Sequence, residues 1–340
     1  MQKYREARCA FSKRRIHECL ELLRAAERSG HDPGACAACR WDCWMLLGRF
    51  EEAWKESDSI LARGLRDPNR LWDGLPFAGK RVMIRCLHGF GDAIQFLRYA
   101  RLVRQQAVSV AVQTHPQLVS LFKGAPYIDG VTTWKDGPGL RHRDWDRQIE
   151  VMELPRAFRT TLAGIPAQTP YLYVDRQYVE GSPLAGRARR KLRVGVLWEG
   201  GEWNPARNVP FSEIMPLLTV PNVDVYSFQR GPGREKLRGS GLADFIVDLS
   251  GEARDSVYFA ADLMHIDLLI TVDTMAAHLA GALGRRVWVL LPLEADWRWM
   301  LDRADSPWYP TMRLFRQKKE GDWRAPVTEI LRELENFPAT

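Results

Sequence analysis

The chain has 340 residues, 46% hydrophobic and 27% charged, which suits a globular protein with material for two or three cores. No apolar run reaches the length of a membrane span, and the charged start MQKYREARCAFSKRR lacks a signal-peptide apolar centre, so a cytoplasmic address is expected. The net charge of +7 favours anionic ligands, or peripheral contact with an anionic membrane face at the inner membrane. The absence of an aromatic-interleaved basic stripe argues against nucleic acid.

Residues 1–70 have helical periodicity, with helices expected over about 4–28, 34–47 and 50–64. The stretch Leu47-Gly48-Arg49-Phe50-Glu51-Glu52-Ala53 resembles the inter-helix turn of a tetratricopeptide repeat, with the expected proline displaced to Pro68. One and a half repeats cannot bury their faces alone. They should dock on the rest of the chain, a protein partner or another copy. Cys36-x-x-Cys39 with Cys43, His17 and His31 nearby is compatible with zinc. However, Cys36, Cys39 and Cys43 fall on one helical stripe, which predicts buried free thiols.

A Gly- and Pro-containing linker, 71–79, leads into alternating strands and helices. Strands are expected over about 81–87, 108–112, 131–134 and 148–151, with helices over about 93–105, 117–122 and 153–163. The charged bridge 176–191 follows, and then strands over about 192–198, 223–228, 245–247, 266–272, 287–291 and 311–316. Helices are expected over about 211–218, 256–264 and 325–336, and one from Met275. This predicts an α/β chain with mostly parallel sheets, in two units of similar size facing a crevice. The basic clusters Arg98/Arg101/Arg104, Arg187/Arg189/Arg190/Lys191/Arg193 and Arg316/Lys318/Lys319 read as solvated faces.

Four stretches could carry chemistry. Asp273-Thr274 ends a buried strand and can cap the helix from Met275, whose amides and dipole suit a phosphate. Thr274 and His278 lie four apart on that helix, with Met275 and Ala276 between them, and both can donate to an anion. Gly89-Phe90-Gly91-Asp92 follows the first strand but is neither a dinucleotide fingerprint nor a P-loop; it would present Asp92 at a helix start. Trp198-Glu199-Gly200-Gly201-Glu202-Trp203-Asn204-Pro205-Ala206-Arg207 suits a loop over an anionic group. Asp296-Trp297-Arg298-Trp299 could add a cation through Arg298. Asp144-Trp145-Asp146 spells an acidic pair that holds metal in some sugar-transfer enzymes, but it precedes a strand here and reads as structural.

The run Val272 to Gly284, with Asp296-Trp297-Arg298-Trp299 and Asp305-Ser306-Pro307-Trp308-Tyr309-Pro310, resembles bacterial tetratricopeptide-repeat glycosyltransferases. These are related to the heptosyltransferases of glycosyltransferase family 9. The run from Gly89 through Gln95 to Tyr99 is similar to the family's first loop and helix, and the likeness spans about residues 72–337.

The resemblance implies a GT-B fold behind a short helical segment over 1–70. The acceptor lobe would cover 71–180, the donor lobe 181–320 and a last helix 321–340. It implies inverting sugar transfer from a nucleotide-diphosphate sugar, with no metal cofactor, to a glycan, lipid-linked or protein hydroxyl. Asp92 would be the general base, with Gly89, Gly91 and Gln95 on the acceptor-side loop. Asp273, Thr274, the following amides and His278 would hold sugar hydroxyls and diphosphate. Gln229, Asp248 and Leu249 would line the ribose and base pocket. The loop after Trp198, with Asn204, is shorter than in relatives and keeps Arg207 as its one basic residue. A non-catalytic binding module and a nucleotide-sugar epimerase are the alternatives.

Overall fold

The computed structural model describes residues 1–64, 70–134, 144–189, 191–202, 204–221, 223–251 and 255–337. Pro68, Arg190 and Trp203, singled out above, lie outside the described residues. By its internal contacts the chain divides into two units. The first holds Met1–Leu71, Glu153–Ile165 and Glu294–Arg303; the second holds Trp72–Met152, Pro166–Leu293 and Ala304–Thr340.

The first unit is built on four helices, α1 (Gln2–Ser12), α2 (Ile16–Arg28), α3 (Pro33–Leu46) and α4 (Phe50–Ala62). The long first helix expected over 4–28 is broken between Ser12 and Ile16. Arg14 turns left-handed there, at φ 57°, and the Arg15 amide bonds back to the Ala10 carbonyl at 2.9 Å. No glycine or proline announces this break. It is supported by a tertiary contact, from the Arg14 guanidinium to the Ala295 carbonyl at 2.7 Å. The helix ends at Gly30, Gly48 and Gly64 are left-handed too. Arg14 to Gly48 and Gly30 to Gly64 are each 34 positions apart, the length of a tetratricopeptide repeat.

Two segments that interrupt the α/β sequence complete this unit. Trp54 Nε1 donates to the Thr160 carbonyl at 2.7 Å, and Arg156 and Arg159 both bind Asp58. The Leu301 amide bonds to the Leu46 carbonyl, and Trp297 meets Trp41 edge-on at 5.5 Å. The helix expected over 153–163 is only Leu154–Ala157. Arg159 takes a left-handed conformation at φ 46° and the chain turns away to reach Trp54.

The second unit carries two parallel sheets. The first sheet runs in the order β3 (Gly130–Thr133), β2 (Ser109–Thr114), β1 (Arg81–Arg85), β4 (Arg147–Glu150). In the second the order is β10 (Met312–Arg316), β9 (Arg286–Leu291), β8 (Leu268–Val272), β5 (Leu192–Leu197), β6 (Val223–Ser227), β7 (Val247–Asp248). Among the described residues each paired set of these strands is parallel, in registers such as Ile84 with Val112 and Val272 with Leu290.

Val194, Val196, Leu268, Ile270 and Val272 form a core with Trp198, closed from one side by Val327, Ile330 and Leu334 of the helix Arg324–Glu335. β7 starts two residues later than expected. A tight turn over 243–245 leaves Phe245 exposed and gives its inward place to Ile246.

Chain order reverses between β1 and β4 in one sheet and between β5 and β8 in the other. In open parallel sheets, ligands bind at the carboxyl ends of such strand pairs. Those ends carry His88 to Asp92 after β1, the loop from Trp198 after β5, and Asp273-Thr274 after β8.

Candidate functional site

The helix Met275–Ala282 begins at Thr274, whose Oγ1 accepts from the Ala276 amide at 3.3 Å and pairs with Thr271 Oγ1 at 3.4 Å. Its small residues Ala276, Ala277, Ala280 and Gly281 are all buried, so the helix is thin enough to be packed from several sides. One of these neighbours is the helix Phe90–Phe96. A Cβ on Gly91 would lie 2.9 Å from His278 Cδ2 and 3.8 Å from Met275 Cα. The loop after β1 and the helix start after β8 therefore meet directly, and a glycine at 91 permits it. A second tie, Ser120 Oγ to Asp255 Oδ2 at 2.7 Å, also joins elements of the two sheets.

Asp92 follows Gly91 and is half-buried; its Oδ2 accepts from the Gly89 amide at 3.0 Å, which fixes the carboxylate at the helix start. Gln95, one turn further, is fully buried. His278 is 5% exposed: Nδ1 is hydrogen-bonded to the Tyr309 hydroxyl at 3.0 Å, and Nε2 faces Asp273 Oδ1 at 4.0 Å. Burial pushes the Tyr309 hydroxyl well above the usual phenol range, so it keeps its proton. The neighbouring Tyr171 hydroxyl donates to the Ile94 carbonyl and receives from Arg98. If Tyr309 is the donor in this bond, a neutral ring would carry its proton on Nε2, facing Asp273.

Arg207 reaches the same place from the other side of the sequence reversal. Its guanidinium donates to the Asp273 carbonyl at 2.8 Å and to the Gly201 carbonyl at 3.4 Å. A Cβ on Gly200 would meet that guanidinium at 2.8 Å, so the glycine lets the arginine fold flat under its own loop. Asn208 Oδ1 accepts from the Gly200 amide and closes the turn. The loop is thus tied down by Arg207, Gly200 and Asn208.

The other residues singled out by sequence are placed differently. Trp198 is fully buried in the core beside Phe211. Gln229 has all four amide valences engaged: Oε1 accepts from the Trp198 and Glu199 amides, and Nε2 donates to the Glu199 and Arg230 carbonyls. It therefore clamps the ends of β5 and β6 together. Asp248 is exposed. Burial works to raise its pKa, but hydrogen bonds from Ser250 and Arg234 prevail and hold it below the usual range. Leu249 beside it continues the ladder through its amide to the Ser227 carbonyl, and Asn204 is half-buried in the loop. Arg298 belongs to the helical unit, where it binds Asp296 at 2.8 Å and stacks on Trp297. Asp146 is tied to Arg81.

Sequence reasoning missed two partners of the site. Tyr309 was visible only as part of a motif. Arg98, read as part of a solvated face, is 3% exposed. It is satisfied by the Gln95 and Trp308 carbonyls, the Tyr171 hydroxyl and three aromatic rings. A cation placed over aromatic faces leaves no charge pattern for the sequence to display.

No protein-family profile matches the chain. It is similar to the protein FlbA of Caulobacter vibrioides, at 25% identity over an alignment of 373 residues covering 96% of this chain. The chain spans about 59% of the length of that relative. Among solved structures it resembles the ADP-heptose LPS heptosyltransferase II of E. coli, with a TM-score of 0.56, 16% identity, and coverage of 75% of this chain and 98% of the other. It also resembles a family 9 glycosyl transferase of Veillonella parvula, with a TM-score of 0.52, 14% identity, and coverage of 77% and 98%. The α/β part of this chain therefore has the GT-B fold of those glycosyltransferases, two Rossmann-like lobes, preceded by a helical segment.

Proposed function

We propose that the chain is an inverting glycosyltransferase that takes its sugar from a nucleoside-diphosphate donor. One observation carries the reading: the Gly91–His278 contact brings the Asp92 loop to the start of the Met275 helix. Asp92 follows Gly91 in that loop, and the helix start it meets suits a diphosphate. The fold it shares with an enzyme named for ADP-heptose supports the donor class.

In this reading Asp92 takes the proton of an acceptor hydroxyl as that oxygen attacks the anomeric carbon. The bond from the anomeric carbon to the diphosphate breaks, and its electron pair leaves with the diphosphate. The helix start from Thr274, the Nε2–H of His278 and the Arg207 guanidinium stabilise that charge, the task a divalent cation performs in other folds. Asp273 orients His278. The 34-residue period of the helical unit suits a tetratricopeptide-type surface for a protein partner or a second copy. The acceptor class is a glycan, lipid-linked or protein hydroxyl.

Calorimetry against nucleoside diphosphates and their sugars tests the donor step. Binding by the parent, weakened in Thr274→Ala, is expected. No binding of any nucleotide would favour the non-catalytic module.

A further inference from the structure

Cys19, Cys39 and Cys43 lie in the helical unit, and their sulfurs are all within 4.8 Å of one another. Cys43 Sγ is 3.6 Å from Cys19 Sγ. Cys39 and Cys43 are four apart on α3, so they project from one face a turn apart, the spacing by which helices commonly chelate. Cys19 comes from α2. Four ligands at the usual zinc–sulfur distance of about 2.3 Å stand roughly 3.7 Å from each other, so this spacing needs little change to accept a metal ion.

Burial alone does not explain the grouping. Cys36 is on the same helix and fully buried, yet it stands outside the cluster. Arg8, exposed on α1, turns its guanidinium to Cys39 Sγ at 3.9 Å. A cation beside a sulfur favours the thiolate, the form that binds metal. Three thiolates on a dication leave one negative charge, which Arg8 offsets.

We propose that Cys19, Cys39 and Cys43 form a thiolate site for a zinc ion, with Arg8 as its outer cation. Each thiol gives up its proton on binding, and the ion ties α2 to α3, so its binding energy becomes folding energy of the helical unit.

The test uses the full chain, reduced and stripped by chelator under argon, then titrated with zinc chloride alone. Native mass spectrometry should show one zinc per chain. Reaction of these three buried thiols with a disulfide reagent should slow, and the melting temperature should rise. Cadmium in place of zinc should give thiolate-to-metal charge-transfer absorption. Cys39→Ser should abolish binding, whereas Cys9→Ser and Cys36→Ser should bind like the parent. Arg8→Ala, on the surface and outside the core, should weaken binding ~10-fold or more. Two results would overturn the proposal: a folded, reduced chain that takes up no zinc, or uptake undiminished in Cys39→Ser.

Discussion

Gly91 and His278 are in contact with no room for a side chain between them: a Cβ at position 91 would stand 2.9 Å from the imidazole. His278 is buried and held by Tyr309, so the ring cannot yield cheaply. Alanine at 91 gains helix propensity of at most ~1 kcal/mol. Overpacking a buried contact costs about 1–3 kcal/mol, so the clash prevails. Gly91→Ala should lower the denaturant midpoint and weaken donor binding together. An unchanged midpoint would show that the two helices separate freely.

Tyr309→Phe keeps the ring against Gly281 and removes only the hydroxyl that holds His278 Nδ1. The loss should be about 1–3 kcal/mol, the usual range for leaving one buried partner unsatisfied. The ring nitrogen shifts of His278 should lose the signature of a single tautomer. Unchanged nitrogen shifts would mean that Asp273 alone sets the tautomer.

Much of the α/β architecture was legible because buried strands are short apolar runs bounded by Gly, Asn and Asp. β8 and the helix after it could be read directly for that reason. The break at Arg14 was not legible, since a tertiary hydrogen bond rather than a glycine supports it. Within the candidate site, Asp273, Thr274 and His278 follow from strand-end and capping chemistry. Gln229 and Trp198 look the same in sequence whether they face a ligand or the interior. The partners the fold supplies, the Trp198 and Glu199 amides for Gln229 and the core for Trp198, distinguish the two cases. Arg298 was grouped with the site through its motif, but the segment that carries it belongs to the helical unit.

Arg207 ties the loop after β5 to the end of β8 with two donors from one planar fork. Lysine carries the charge but not the fork. Arg207→Lys should therefore lose most of what Arg207→Ala loses, about 2.7–4 kcal/mol of barrier if the guanidinium meets the leaving diphosphate. Steady-state kinetics on both variants checks this. Full rescue by lysine would reduce Arg207 to a point charge.

Asp146 is held down to about 2 by the Arg81 side chain, then by the Arg81 amide. A carboxylate depressed in the folded state adds stability above its unfolded pKa and loses it as pH falls through the folded value. Asp146→Asn should thus lower the urea midpoint at pH 7. The difference should shrink below about pH 4 and be gone near 2. The pair is exposed, so added salt should reduce the effect as well. A difference independent of pH would assign the stabilisation to something other than this charge.

The most direct test of Asp92 as the base is Asp92→Ala, followed by donor calorimetry and by transfer to acceptor on one preparation. Donor affinity should stay like the parent's, with turnover reduced about 10²–10⁴-fold, the usual contribution of a general base. Turnover equal to the parent's, with donor still bound, would contradict it.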